Sequence, residues 1–217
     1  MKVNDKVMYH FHKNGIYDDM WTVGNSIIVD DKFNSALVCR AIADFNTNGL
    51  NKYKDISLSF IVDEYLKQEN DILFTKIFDS VESKEDLMKL LIMSSKVIWE
   101  ANIFKREMAL EEIRRNYFNH LPSRKHCIWV MRKQSIDFWR GRLKPFKEYS
   151  NSLILYSVSL TGDLFRTNEL FLPSDNYSYV ECLEASFDYW NPDFSFTDDL
   201  KDEYLFQGEV KILDKVL

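Results

Sequence analysis

Side chains with the capacity for chemistry lie on three strand-like segments that are far apart in the chain. The segment "KVMYHFH" places His10 and His12 on one side of an alternating strand. The apolar run "HCIWVM" carries Trp129, and "DEYLFQGEVKIL" presents Glu203 at the start of its polar face. A carboxylate can stabilise a positive charge, and an aromatic ring can stack on a flat cation. These residues form a candidate site if the strands that carry them are neighbours and if His10 and Glu203 project from one face, with Tyr204 packed behind them.

Each of these residues also has a purely structural explanation. Charged residues mostly stay in solvent, so Glu203 considered alone is consistent with a surface carboxylate. A tryptophan on an apolar strand is more often a core residue than part of a cofactor site. Satisfied core histidines are common, and His12, His120 or His126 are alternatives to His10. Only partners that are distant in the chain could favour a functional site over these explanations.

The composition indicates an ordered globular protein. The 217 residues are 46% hydrophobic and 15% aromatic, with only six Gly and four Pro, and a chain of this length can bury a sizeable core. The three cysteines lie in apolar surroundings, which favours reduced, buried thiols over a disulfide framework or a metal cage, so we expect no metal site. They are Cys39, Cys127 and Cys182.

The first residues and the lengths of the apolar runs bear on the location of the protein. The first residues carry charges where a signal peptide has an apolar stretch, and no run approaches the roughly 18 apolar residues of a membrane span, so we predict a cytoplasmic protein with no membrane partner.

Within a net charge of −6, the segment from Lys105 to Lys147 holds twelve Lys and Arg against four Asp and Glu. Such an excess predicts either a surface for a phosphate-bearing ligand or ordinary helix solvation.

Periodicity predicts an α+β domain with mixed or antiparallel sheets. Alternation predicts strands at about 6–12 and 152–160, the second followed by a turn at "TGD", and a final strand that contains Glu203. A short apolar run predicts a buried strand at 126–131. A short extended segment near 21–31 turns at Gly24, and "NTNGLN" at 46–51 indicates a loop.

Helical spacing predicts most of the chain from about Leu58 to Phe118 as helix, with a capping box at Ser83 and a second helix from about Glu100. Pro122 releases the chain from that helix. A short helix is predicted to close at Gly141, and a further helix with Ser174 as its N-cap extends to about Trp190. We therefore expect a single domain over 1–217 with a mainly helical insertion at about 55–120.

The histidine, aromatic and glutamate order resembles the ADP-ribosyltransferase superfamily, in the branch of diphtheria toxin and the poly(ADP-ribose) polymerases with its His-Tyr-Glu triad. "DEYLFQGEVKI" is similar to that branch's Asn-Glu-Tyr-Ile-Val-Tyr signature, and "CIWVMRKQSIDFW" to its Gly-Ile-Tyr-Phe strand and following helix. "MYHFH" resembles its Tyr-His-Gly-Thr element, with Phe11, Cys127 and Trp129 in place of two family glycines and the triad tyrosine. The resemblance covers about half of the chain and implies split β-sheets of the ADP-ribosyltransferase type.

The resemblance also implies roles for individual residues. Glu203 would hold the ribose 2′-hydroxyl of NAD+, the co-substrate, and stabilise the oxocarbenium-like transition state. His10 would anchor a ribose hydroxyl, and His12 falls where the family has a hydroxyl residue. The nicotinamide would stack on Trp129 and a second aromatic and would meet a serine; these positions fall on Phe138 or Trp139 and on Ser135.

Arg124 suits a pyrophosphate through its planar guanidinium, or else ends a helix against carbonyl groups. The activity implied is mono-ADP-ribosyl transfer to a macromolecular acceptor, either a nucleic acid such as RNA or a protein, in a toxin or antiviral effector. NAD+ glycohydrolase activity and an inactive binding or antitoxin module are the alternatives. The helical insertion is open to a substrate, a neutralising partner protein or neither.

Overall fold

Long strands from both ends of the chain belong to one antiparallel sheet. The computed structural model describes residues 1–13, 19–33, 84–143 and 153–216. Every pairing between its strands is antiparallel, which confirms the α+β class. The strands are β1 (Lys2–Lys13), β2 (Ser26–Val29), β3 (Ile128–Val130), β4 (Leu153–Asn168) and β5 (Asp202–Lys215). The helices are α1 (Lys84–Tyr117), α2 (Ile136–Leu143) and α3 (Tyr179–Trp190).

The chain divides into two compact units. One unit combines residues 1–39 with 106–217 and holds the sheet, and the other spans residues 40–105. The predicted loop at 46–51 and the predicted helical start from about Leu58 lie outside the described residues, as does Cys39. The single domain with an insertion at about 55–120 stays a prediction.

The sheet closes on itself around an apolar core. β4 pairs with β1 on one side and β5 on the other, while β2 and β3 share the far edge of β5. Tyr9 and Met131 then join β1 to β3 through two backbone hydrogen bonds of 2.9 and 2.8 Å. The enclosed side chains are large and apolar, among them Met8, Trp21, Val130, Val158, Leu160, Leu164, Tyr204, Phe206 and Ile212.

A second apolar cluster covers the outer face of β3 and β5. Leu205 packs there with Leu110 of α1 and with Tyr189 and Trp190 of α3. Cys127 and Cys182 are buried free thiols, as predicted. Because strand side chains alternate, neighbouring residues of β5 enter different environments: Tyr204 and Phe206 point into the enclosed core, and Leu205 points to the helices.

The predicted turn at "TGD" is wrong, because β4 continues through it. Gly162 lies directly opposite Gly208 of β5, with φ of 156° and 138°. A Cβ at Gly162 would come within 2.3 Å of the Gln207 carbonyl oxygen. The two glycines therefore allow two long strands to approach each other closely. In the sequence alone, the residues around Gly162 have the composition of a turn.

Three helix boundaries also differ from the predicted ones. α1 runs from Lys84 to Tyr117 without a break, since no Gly or Pro interrupts it. Gly141 lies inside α2 rather than at its end. The N-cap of α3 is Ser178 and not Ser174, because only Ser178 has a glutamate three residues later, Glu181, to complete a capping box.

Candidate functional site

The Glu203 carboxylate is buried and is held at one oxygen. Its position on β5 turns it to the outer face, like Leu205 two residues later. Arg124 donates from Nη1 to Oε1 at 2.9 Å, and the hydroxyl of Tyr189 donates to the same oxygen. No donor among the described residues reaches Oε2, and 9% of the side chain remains exposed. The arrangement is a carboxylate with one anchored oxygen and one available oxygen.

Arg124 links Glu203 to the helix α1. Its Nε and Nη2 donate to the two carboxylate oxygens of Glu107 at 2.8 and 3.1 Å, a bidentate pair. Its Nη1 also donates to the Tyr189 hydroxyl. Burial opposes the charge of Arg124, yet Glu107 foremost, with Glu203, keeps the pKa of Arg124 well above its ordinary value. Burial likewise opposes the charge of Glu107, but Arg124 keeps its pKa below the usual value.

Local sequence explains why Arg124 enters this position. The chain leaves α1, and Ser123 then caps a short 3-10 turn by accepting from the Lys125 amide at 3.2 Å. The Ser123 hydroxyl donates to Glu111 at 3.0 Å, which fixes the turn against α1. Arg124 follows directly and is 4% exposed, so the turn delivers the guanidinium into the space between α1, α3 and β5.

Trp129 lies on the same outer face as Glu203. It pairs with Leu205 across the β3–β5 ladder, two residues from Glu203. The Arg124 guanidinium carbon lies 5.2 Å from the centre of the Trp129 ring and 5.0 Å from that of Tyr189. A flat cation is therefore already in contact with two aromatic rings, as cation–π geometry favours.

His10 lies on the opposite, enclosed face of the sheet. Its ring stacks on Trp21 with centroids 4.4 Å apart, and His12 stacks on Trp21 at 4.9 Å. His10 shares this face with Met8, whereas Glu203 faces the helices. We expected both His10 and Glu203 to project from one face, in front of Tyr204, and this is corrected: strand register aligns His10 with Tyr204 rather than with Glu203.

His10 nevertheless contacts the strand that carries Trp129. Its Nδ1 lies 2.7 Å from the Trp129 carbonyl oxygen, and a carbonyl only accepts, so Nδ1 carries the proton. Burial lowers the pKa of His10 to about 4, although the bond to Trp129 opposes this shift. The ring is neutral at pH 7 and its Nε2 is a hydrogen-bond acceptor.

The remaining predicted residues gather in the turn and helix after β3. Trp139 donates from its indole nitrogen to the Asp202 carbonyl oxygen at 3.1 Å, beside Glu203. Phe138 meets the Trp139 ring edge-on at 5.2 Å. Ser135 is fully buried, and within the described part of the chain its hydroxyl has no hydrogen-bond partner. Such an unpaired hydroxyl costs about 1–3 kcal/mol unless something satisfies it.

Asp202 forms a separate ion network beside the Glu203 network. Its carboxylate accepts from Arg166 at 2.7 Å, from Arg132 at 3.0 Å and from Asn168 at 3.0 Å. Asp202 and Glu203 are adjacent in the chain but point to different faces because strand side chains alternate. The start of β5 is thus fixed on both faces by arginines.

Three residues that contact the predicted ones were not themselves predicted: Glu107, Tyr189 and Trp21. Glu107 and Glu111 are one helical turn apart beside the apolar positions Ala109 and Leu110, and carboxylates on an apolar face indicate buried ion pairs. The sequence therefore contained a signal for Glu107. Tyr189 and Trp21 have no comparable signal, because an aromatic residue in an amphipathic segment is the ordinary pattern of a core.

The fold and site define a class of α+β protein with a closed antiparallel sheet and a buried arginine–carboxylate network on its outer face. Residues 8–217 match the family described as protein of unknown function, DUF2441. The chain belongs to this family. The comparison with curated proteins gave no match. In the ranges that the structure describes, none of the helices has the length and apolar character needed to cross a membrane.

Proposed function

We propose that this protein is a mono-ADP-ribosyltransferase that cleaves NAD+ and transfers ADP-ribose to a macromolecular acceptor. The observation that carries the proposal is the hydrogen bonding of the Glu203 carboxylate. Arg124 and Tyr189 both donate to Oε1, while Oε2 accepts from no described residue and is available to a ligand. A carboxylate that is oriented before the substrate arrives stabilises developing positive charge without reorganising, which is the requirement of an oxocarbenium-like transition state.

The surroundings of Glu203 supply plausible contacts for the rest of the dinucleotide. Trp129 is partly exposed on the same face and already accommodates a cationic group, and the nicotinamide ring of NAD+ is also a flat cation. The unsatisfied hydroxyl of Ser135 can pair with a carboxamide once the turn adjusts. Phe138 or Trp139 would be the second aromatic. These contacts involve the residues that the resemblance implies.

His10, His12 and Arg124 take different roles from those first expected. His10 would act through Trp129, whose carbonyl it binds, and His12 would help to hold His10 in place because both rings stack on Trp21. Arg124 would orient Glu203 rather than bind a pyrophosphate, because its three nitrogens are already committed to Glu107, Tyr189 and Glu203. The setting as a toxin or antiviral effector, with a neutralising partner, rests on the resemblance alone.

Incubation with NAD+ labelled in its adenylate part tests the activity. The protein is incubated with protein and RNA acceptors, and label on either macromolecule supports transfer. Free labelled ADP-ribose alone supports an NAD+ glycohydrolase instead. An unchanged NAD+ pool supports an inactive module and refutes the proposal.

The Glu203→Gln variant assigns the activity to this carboxylate. The amide keeps the shape but loses the charge that opposes the transition-state cation, so we expect nicotinamide release to fall by about 100-fold or more. Glu209→Gln is the matched control, since Glu209 lies on the same strand and is exposed. Equal release by both variants would remove Glu203 from the mechanism.

An inactive binding or antitoxin module is the second candidate. The placement of His10 and Glu203 on opposite faces of the sheet favours it, because no triad forms from them. Such a module predicts NAD+ binding or no NAD+ interaction, and in either case no nicotinamide release. The same labelled-NAD+ assay separates the two candidates.

A further inference from the structure

We propose that Glu107 is a positioning residue that keeps Arg124 from occupying both oxygens of Glu203. This inference rests on the proposed function of Glu203. It assigns a role to a buried helix residue that neither the motif pattern nor the resemblance includes.

The geometry divides the guanidinium between two carboxylates. Glu107 takes Nε and Nη2 in a bidentate pair, and only Nη1 remains for Glu203. Glu203 therefore receives a single bond from Arg124, at Oε1, and a second at the same oxygen from Tyr189. The result is one carboxylate oxygen free of protein donors among the described residues.

Removal of the Glu107 charge would change this division. A guanidinium prefers a bidentate contact with a carboxylate, and buried Arg124 would have Glu203 as its remaining acidic partner in this network. Rotation of the Arg124 guanidinium toward Glu203 would place one of its N–H donors on Oε2. The ribose hydroxyl would then compete with an internal ion pair for that oxygen.

Glu111 provides a matched control one helical turn away. It is also buried on α1, and it pairs with Arg114, Arg115 and Ser123. Burial opposes the charge of Glu111, and Arg114 foremost keeps its pKa below the usual value, as Arg124 does for Glu107. Its partners do not include Arg124 or Glu203, and the amide oxygen of Glu111→Gln can still accept from the Ser123 hydroxyl that anchors the turn before Arg124. Loss of the Glu111 charge should therefore affect stability alone.

The experiment measures kcat and KM for NAD+ cleavage in the full chain carrying Glu107→Gln or Glu111→Gln. We expect Glu107→Gln to lower kcat by between about 10- and 100-fold with little change in KM, because the defect is in the orientation of a group used in the transition state. Both variants should lower the melting temperature, and Glu111→Gln should retain wild-type kcat below its own unfolding range.

A double variant distinguishes capture of Glu203 from loss of structure. Glu107→Gln with Arg124→Gln removes the competing guanidinium and leaves the Tyr189 hydroxyl to orient Glu203 through Oε1, so kcat should rise again relative to Glu107→Gln alone. A double variant no more active than the single one overturns the proposal, and so does equal kcat for Glu107→Gln and Glu111→Gln.

Two further results would also decide the proposal: failure of Glu107→Gln to fold, and absence of activity in the unsubstituted protein. If Glu107→Gln does not fold, Arg124→Lys replaces it: one ammonium cannot hold both carboxylates, so kcat should fall, and unchanged kcat would overturn the proposal. If the unsubstituted protein releases no nicotinamide, the proposed function fails and this inference fails with it. A wild-type rate in Glu107→Gln within an active protein overturns the inference alone.

Discussion

Glu203 illustrates how a residue's role depends on partners that are distant in the chain. Taken with its own strand, it was equally consistent with a solvated surface carboxylate. Arg124, Tyr189 and Glu107 come from three other elements and bury it in a shared ion network. Removing one partner of such a buried pair typically lowers the free energy of unfolding by about 3–5 kcal/mol. The network therefore stabilises the fold in addition to its proposed catalytic use.

The stability of the protein should fall in mild acid because of His10. The folded-state pKa of about 4 lies below the ordinary value of 6.5, so between these values the unfolded chain binds the proton and the folded chain does not. The contribution is fully present above pH 6.5 and declines as the pH falls toward 4. The loss would reach at most about 3 kcal/mol.

Urea unfolding across this pH range measures the effect. The difference in unfolding free energy between the wild type and His10→Gln should shrink as the pH is lowered from 7 to 4. His120→Gln is the control, since His120 is exposed, and it should follow the wild type at every pH. Parallel pH curves for the wild type and His10→Gln would refute the assignment.

At the scale of elements, the sequence predicted the strands better than their connections. Alternation, together with the short apolar run at β3, identified β1, β3 and β5, because each of these strands buries at least one face. It could not identify the continuity of β4, since Thr161-Gly162-Asp163 has the composition of a turn and the reason for Gly162 lies in β5. The candidate site was predicted as a set of residues, but its division between two faces depends on register, which a single sequence does not specify.

The glycine pair gives a test of strand packing. Gly208→Ala should strongly destabilise the protein, because its Cβ would lie 2.5 Å from the Thr161 carbonyl oxygen at a φ of 138°. Gly141→Ala is the control: its Cβ meets open space within α2, and Ala in a helix interior should raise stability by about 0.5–1 kcal/mol. Thermal unfolding of both variants measures this, and similar melting temperatures would contradict the close approach of β4 and β5.

At the scale of the whole molecule, the basic segment is less available than its composition indicated. All seven arginines between Lys105 and Lys147 pair with carboxylates. Several of these partners come from other parts of the chain, including Glu169, Asp199, Asp202 and Glu203. Local charge counts could not reveal this, because pairing is set by the tertiary fold.

Nucleic-acid binding should therefore be weak and depend little on salt. With the seven arginines of this segment paired and a net charge of −6, the described part of the segment offers fewer cations to displace counterions from phosphates. Fluorescence anisotropy with a single-stranded RNA of about 20 nucleotides, between about 50 and 200 mM salt, should give a log–log slope equivalent to fewer than about two phosphate contacts. A slope equivalent to six or more phosphate contacts would indicate an available basic surface and would favour RNA over protein as the acceptor.

The orientation of Glu203 toward NAD+ is tested most directly by a crystal structure with an NAD+ analogue whose ring–ribose bond is carbon–carbon and resists cleavage. The account predicts the ribose 2′-hydroxyl within about 3.2 Å of Glu203 Oε2, with Arg124 still on Oε1 and the ring against Trp129. An analogue bound away from Glu203, or none bound at saturating concentration, would contradict it.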